Sequence, residues 1–159
     1  MKKALSRKAK SIQDFLKAAG VDARVMELPS STHTAAQAAA AIRCSIGQIV
    51  KSLVFRTVPG MEPILVVASG ANRVNEERIR VVIGRAVEMA DPAFARRATG
   101  FAVGGVPPFG HPAPITTILD SDLMEWDFLW ASAGTPHAMV RLRPDELKRL
   151  TGGGVHAIK

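Results

Sequence analysis

Gln48-Ile-Val-Lys-Ser-Leu-Val-Phe-Arg56, then Val58-Pro-Gly-Met-Glu-Pro63, then Ile64-Leu-Val-Val-Ala68 is the stretch on which the fold class turns. The first run follows Gly47 and is rich in β-branched and aromatic residues. The last is continuously apolar, and the Pro-Gly segment between them reverses the chain, so the pattern predicts an antiparallel hairpin. Alternation puts Ile49, Lys51, Leu53 and Phe55 on one face and Val50, Ser52 and Val54 on the other. Both faces are apolar apart from Lys51 and Ser52, which predicts a strand buried on both sides. An ammonium in such a strand is costly unless it reaches a partner, a cavity or a ligand anion. The bland alternative is a lysine that snorkels from near a strand end.

Outward from the hairpin, the chain alternates between short helical and short extended patterns. Leu5, Ile12, Phe15 and Leu16 recur at near-helical spacing between Ala4 and Ala19, with Gly20 as the stop. Ala23 to Leu28 alternates and predicts a short strand ended by Pro29-Ser-Ser. Thr32 or Thr34 can cap a helix over Ala35 to Ile42, whose small side chains predict close packing on a sheet rather than a surface position. Downstream, Asn75 caps a helix through Ile83 with Gly84 as its stop, and Val87 to Met89 is extended. Asp91-Pro92 opens another helix, closed by Gly100. Ile115 to Leu119, Phe128 to Ala133 and Ala138 to Leu142 read as strands. A short helix capped by Asp120 or Ser121 follows the first of these. Pro144 starts a last helix through Leu150, ended by Gly152-Gly-Gly. Short helices between hairpin-connected strands predict an α/β domain with a mixed sheet, not a doubly wound parallel one. At 159 residues the whole chain, 1–159, is expected to form one domain.

Between the fourth helix and the strand at Ile115 lies Val103-Gly-Gly-Val-Pro-Pro-Phe-Gly-His111, which can continue neither a helix nor a central strand. With Phe101 to Val103 leading in, it reads as a shaped loop at the end of a strand, its backbone amides free to meet a ligand. A surface connection is the competing reading.

Composition narrows the functional classes. Hydrophobic residues make up 47% and charged residues 22% of the chain, an ordinary globular balance, and no apolar run approaches the ~20 residues of a membrane span. The basic N-terminus lacks the apolar core of a secretory signal. One cysteine, Cys44, allows no internal disulfide and points to a reducing cytoplasm; as a small thiol after an Ala-rich helix it reads as packing rather than a nucleophile. A formal net charge of +7 suits a polyanionic partner. The chain has no tyrosine and no Lys/Arg-rich stretch interleaved with aromatics, which argues against a single-strand stacking platform. Histidines 33, 111, 137 and 156 show no metal-ligand spacing, so no zinc site is expected. The glycines near 104 match neither a P-loop nor a dinucleotide fingerprint. Asp120, Asp122, Glu125 and Asp127 cluster on a short helix and read as a solvated face. Ser132 shares a face with Phe128 and Trp130, which places its hydroxyl in an apolar setting.

Ile49-Val-Lys51-Ser-Leu-Val-Phe, Gly104-Gly-Val-Pro-Pro108-Phe-Gly, Thr117-Ile-Leu-Asp120 and Ala131-Ser-Ala-Gly134 occur in that order. Together, from about Ile12 to Leu150, they resemble the YbaK/prolyl-tRNA-synthetase-associated domain family of free-standing editing deacylases. The resemblance implies an α/β fold with a central mixed, barrel-like sheet surrounded by short helices. It also implies hydrolysis of the ester joining a wrong amino acid to tRNA, typically tRNA(Pro), without a cofactor and in the cytoplasm. The family's strand lysine falls on Lys51 and its Gly-x-x-x-Pro loop on Gly104 to Pro108, with Gly105 as a further amide donor. The serine before the Ala-Gly step falls on Ser132, and a histidine found on the last strands of some members corresponds to His137. Members specific for cysteine carry Gly-Cys-Ser-Pro where this chain has Gly-Val-Pro-Pro, which points away from that substrate. Expected partners are mischarged tRNA and prolyl-tRNA synthetase. The rivals are a non-catalytic tRNA-binding module and a regulatory partner of the synthetase.

Overall fold

A computed structural model describes residues 4–29 and 31–159; Met1 to Lys3 of the basic N-terminus and Ser30 of the turn after Pro29 lie outside the described residues. Helix α1 (Arg7–Ala18) buries Ala9, Ile12 and Leu16 on one stripe. Strand β1 (Met26–Glu27) is a two-residue edge strand, and α2 (Ala35–Ile42) starts at Thr34 with a full capping box to Gln37. The hairpin follows as β2 (Ile49–Thr57) and β3 (Pro63–Ser69). Helix α3 (Glu76–Ile83) is capped by Asn75 and ends at Gly84 (φ 77°). Strand β4 (Val87–Met89) leads to α4 (Pro92–Thr99), with Asp91 as N-cap and Pro at its first turn. Strands β5 (Thr116–Asp120), β6 (Leu129–Ser132) and β7 (Ala138–Leu142), helix α5 (Pro144–Thr151) and strand β8 (Gly154–His156) complete the chain.

The strands form one mixed sheet in the order β1-β7-β6-β2-β3-β5-β8, with β4 also on β2. The hairpin pairs antiparallel from Val50↔Ser69 to Arg56↔Pro63, whereas β2–β6, β3–β5 and β5–β8 are parallel. Opposite β3, the edge of β2 carries β6 at Ile49 and Val50 and β4 at Phe55 to Thr57. Lys51 to Leu53 therefore stand where β6 and β4 diverge, with no strand paired on that side among the described residues. The expected burial on both faces fails at this seam: Lys51, Ser52 and Leu53 are half-buried while Val54 and Phe55 are buried.

Register sorts the two faces. Val50, Val54, Leu65, Val67, Leu119, Leu129, Ala131, Val140 and Leu142 join the α1 stripe in the main core. The opposite face has two covers. Helix α2 lays Ala38 and Ala39 on Ile49 and Met139, and α3 lays Ile79 on Phe55, Val66, Ala68 and Ile118. Lys51 lies on this face between the two covers.

Two expectations and one competing reading are corrected. Phe101 to Val103 is not a strand: Gly100 ends α4 at φ 82° and the Gly105 amide bonds Ala102 O at 2.9 Å, closing a turn. Helix α2 is not fully packed, since Ala36, Ala40 and Ala41 face solvent; alanine's helix propensity sustains the element without a wide buried stripe. The 103–111 stretch is not a surface connection either. Val106 is 4% and Phe109 2% exposed, both in the main core, and Phe109 stacks on Phe15 at 5.4 Å between ring centroids. Strand β8 has no readable signature, being three residues that begin on glycine.

Candidate active site

At the seam opens a cavity of about 350 Å³, bounded by Lys51, Gly104, Ser132, Ala35, Leu53 and Met139 among others. Lys51 Nζ donates to Asn72 O at 2.6 Å. Asn72 follows β3 in the turn Ser69-Gly-Ala-Asn72 and is itself held, its Nδ2 donating to Asp120 Oδ2 and Asp122 Oδ2, each at 2.8 Å. Asp120 is 1% exposed and also accepts from the amides of Ser69 at 2.9 Å and Asp122 at 2.9 Å. Lys159 Nζ closes the chain of contacts at 2.9 Å from Asp122. Asp120 thus departs from the expected solvated acidic face, to which only Glu125 and Asp127 conform. It is the end residue of a central strand, and its carboxylate satisfies donors that the β3 turn would otherwise bury unpaired.

Burial lowers the Lys51 pKa below the ordinary lysine range, and the nearby Asp120 charge offsets part of that. Between that lowered value and the unfolded-chain value the unfolded state binds more protons, so this group adds stability as pH rises through the window. A reaction that needs the ammonium behaves oppositely. Once background hydrolysis is subtracted, its rate should fall with rising pH before an unperturbed lysine would titrate. A rate that stays flat throughout that range would show that the charge is not used.

The lining also includes the Gly104 loop. Gly104 has φ +93°, and a Cβ there would come within 2.7 Å of His33 Nδ1. Its carbonyl accepts from Ser132 Oγ at 3.3 Å, and its amide donates to no protein acceptor among the described residues. Gly134 N donates to Gly105 O at 3.1 Å, and a Cβ on Gly105 would meet the Thr135 backbone at 2.8 Å. The loop is clamped on the β6–β7 turn, which gives an open amide a fixed direction. His111 Nε2, 2.8 Å from Pro107 O, braces its far side; burial lowers the His111 pKa, favouring the neutral ring.

Of the residues singled out in the sequence, Lys51, Gly104 and Ser132 line one cavity. Gly105 and Pro108 are buried within the loop and outside the lining, and the Gly105 amide is committed to Ala102, so it is not an open donor. His137 is exposed and outside the lining; its carbonyl accepts from Leu28 and ties β1 to the β6–β7 turn. The imidazole at the cavity is His33. Gly70, readable only as a strand stop, lets α2 close in: a Cβ would lie 2.5 Å from Ile46 O and 2.8 Å from Ala35 Cβ. No group of three or more metal-ligating side chains occurs among the described residues, and no described helix is long and apolar enough to cross a membrane.

Residues 29–150 match the model of the aminoacyl-tRNA editing domain family. The chain is 32% identical over 127 residues to the uncharacterized protein YwhH of Bacillus subtilis (strain 168), covering 80% of each. Among solved structures it is similar to one described as a "putative trans-editing enzyme for prolyl tRNA synthetase" (43% identity, TM-score 0.92, 98% of this chain and 99% of that one). It is also similar to the "hypothetical protein APE2540" (29% identity, TM-score 0.87, 93% of this chain and 98% of that one).

Proposed function

The chain belongs to the aminoacyl-tRNA editing domain family, and from that membership we propose that it is a free-standing deacylase that hydrolyses the ester of mischarged tRNA(Pro) bearing a small amino acid. The observation that carries the reading is a pair in the lining of one cavity: an ammonium held by Asn72 and the Gly104 amide, which has no protein acceptor among the described residues. An aminoacyl ester is already activated, so the protein mainly has to orient it and stabilise oxyanion charge as it develops. In this reading the Gly104 amide faces the carbonyl oxygen and the Lys51 ammonium holds the carbonyl or the terminal phosphate. A water attacks the carbonyl carbon and the bond to the ribose oxygen breaks. The neighbouring ribose hydroxyl relays the proton, leaving free tRNA and the amino acid. In this reading Ser132 is not a nucleophile: its Oγ holds the Gly104 carbonyl and so braces the 104–105 peptide that follows the open amide.

Support for tRNA(Pro) is the description of the 43%-identical structure; support for a small substrate is the short wall of Ala35, Ala38 and Gly70. Aminoacyl-tRNA is a cytoplasmic substrate, and prolyl-tRNA synthetase is the partner that would generate the error. The test is ester loss from tRNA(Pro) charged with alanine, serine, cysteine, 2-aminobutyrate or proline. Hydrolysis of at least one small non-cognate ester, with Pro-tRNA(Pro) spared, is expected. Neighbours differing by one methylene should be separated by only about 1–3 kcal/mol, roughly 10- to 200-fold. Binding without any ester loss would sink the reading in favour of a non-catalytic module.

A further inference from the structure

A second concavity plays no part in the site described so far. It is a groove of about 720 Å³ whose walls include Arg24, Arg141, Arg143, Phe128 and Trp130. Sheet register connects it to the Lys51 cavity. On β6, Ser132 lines the cavity and Trp130 the groove; on β7, Met139 lines the cavity and Arg141 the groove. Trp130↔Arg141 and Ser132↔Met139 are paired positions, so all four side chains share one sheet face, with the two openings about 7 Å apart along each strand.

The charges in the groove differ in how they are used. Arg143 is taken up by Asp145 at 3.2 Å and Glu146 at 3.8 Å. Arg24 and Arg141 have no carboxylate within 4.0 Å among the described residues, and Asp22 is the one acidic lining residue outside an ion pair. Arg141 is pre-positioned over the Phe128 ring, 4.4 Å from its centroid, which fixes a guanidinium facing the groove. Helix α2 borders both: Ala35 and Ala38 line the cavity, and the groove residue Trp130 packs against the cluster that α2 forms with Ile49 and Met139; its outer residues Ala36, Ala40 and Ala41 are exposed. An alanine surface carries neither bulk nor negative charge, so a polyanion can run close over it.

We propose that the Arg24/Arg141 groove and the outer face of α2 form a docking track for the acceptor arm of tRNA, with backbone phosphates on the two arginines and the 3′ end crossing α2 into the Lys51 cavity. The inference rests on the editing reading for the identity of the RNA, but its test does not depend on ester cleavage. Binding of uncharged tRNA(Pro) is measured across a salt series for the wild type, Arg24→Gln/Arg141→Gln, Ala40→Glu, and a control, Arg96→Gln/Arg97→Gln, on α4. Helix α4 packs through Ala95 into the main core, against the other sheet face. All the substituted side chains are exposed, and melting temperatures confirm folding.

The groove variant should bind about tenfold more weakly and lose roughly one to two from the slope of log K against log salt. Ala40→Glu should weaken binding severalfold by like-charge repulsion, and the α4 control should match the wild type. On charged tRNA the groove variant should raise KM with kcat unchanged. Wild-type affinity in the groove variant, or an equal loss in the α4 control, would overturn the track and leave the editing reading intact. A wild type that binds through the groove but cleaves no ester would overturn the editing reading and leave the track. A wild type that binds no tRNA would overturn both.

Discussion

Lys51→Met should slow ester hydrolysis by about 10²–10³-fold while leaving the protein about as stable as before. The substitution keeps the length and most of the volume of the side chain and removes only the ammonium. Folding gains little from that charge: burial works against it, and its direct bond is to the neutral carbonyl of Asn72. Taking a partly desolvated cation out of an apolar strand therefore costs one charge-assisted hydrogen bond, about 1.5–3 kcal/mol gross, and the weaker attraction to Asp120, and recovers the desolvation penalty that outweighs that attraction. Catalysis has no such compensation. If the ammonium stabilises charge that appears only in the transition state, its loss should lower kcat by about 10²–10³-fold, as for other preorganised donors. Single-turnover deacylation gives the rate, and thermal unfolding gives the stability. A variant slowed to this extent that melts near the wild-type temperature has lost function without losing fold. A variant within a few-fold of wild-type rate would remove Lys51 from the mechanism.

How much of this was legible in the sequence depends on whether a residue's role comes from its own type or from what the fold brings to it. The hairpin, the Asn75 and Asp91 caps, the Gly84 and Gly100 stops and the lysine within an apolar strand are local signals. Each appears where its residue type demands. The mixed α/β sheet follows from them. Asp120 was misread because an acid near other acids on a short turn looks solvated. Only the crossing of β5 beside the β3 turn shows that its carboxylate faces two buried donors and Asn72. Which histidine stands at the cavity is hidden for a similar reason: the family resemblance points to His137, and the structure puts His33 there. Both lie in loops, and only the docking of the Gly104 loop decides which imidazole stands at the cavity. The loop shows both sides: its irregularity was plain from its glycines and prolines. Its burial was not, because Phe109 is covered by Phe15 of helix α1, nearly a hundred residues earlier in the chain.

Asp120→Asn is expected to lower stability and activity together, the opposite signature to Lys51→Met. The carboxylate is an acceptor only, and it takes three hydrogen bonds from Ser69 N, Asn72 Nδ2 and Asp122 N. An asparagine of the same shape has one oxygen and one NH2. Whichever way the amide is turned, at least one of these donors meets another donor in a site that is 1% exposed. Leaving buried donors unsatisfied costs about 1–3 kcal/mol each, and losing the negative charge removes the offset to the half-buried Lys51 ammonium. A loss of about 3 kcal/mol corresponds to a fall in Tm of roughly 6–12 °C for a chain of this size. The same change weakens one of the two carboxylate holds on Asn72, whose carbonyl positions Lys51 Nζ, so kcat should fall by about tenfold with Lys51 still present. The two effects separate by temperature. Well below the variant's Tm the protein is fully folded, and any remaining loss of kcat measures the misdirected ammonium alone. If kcat returns to wild type under those conditions, the Asp120–Asn72 contact serves the fold only, and Lys51 is aimed by the strand itself.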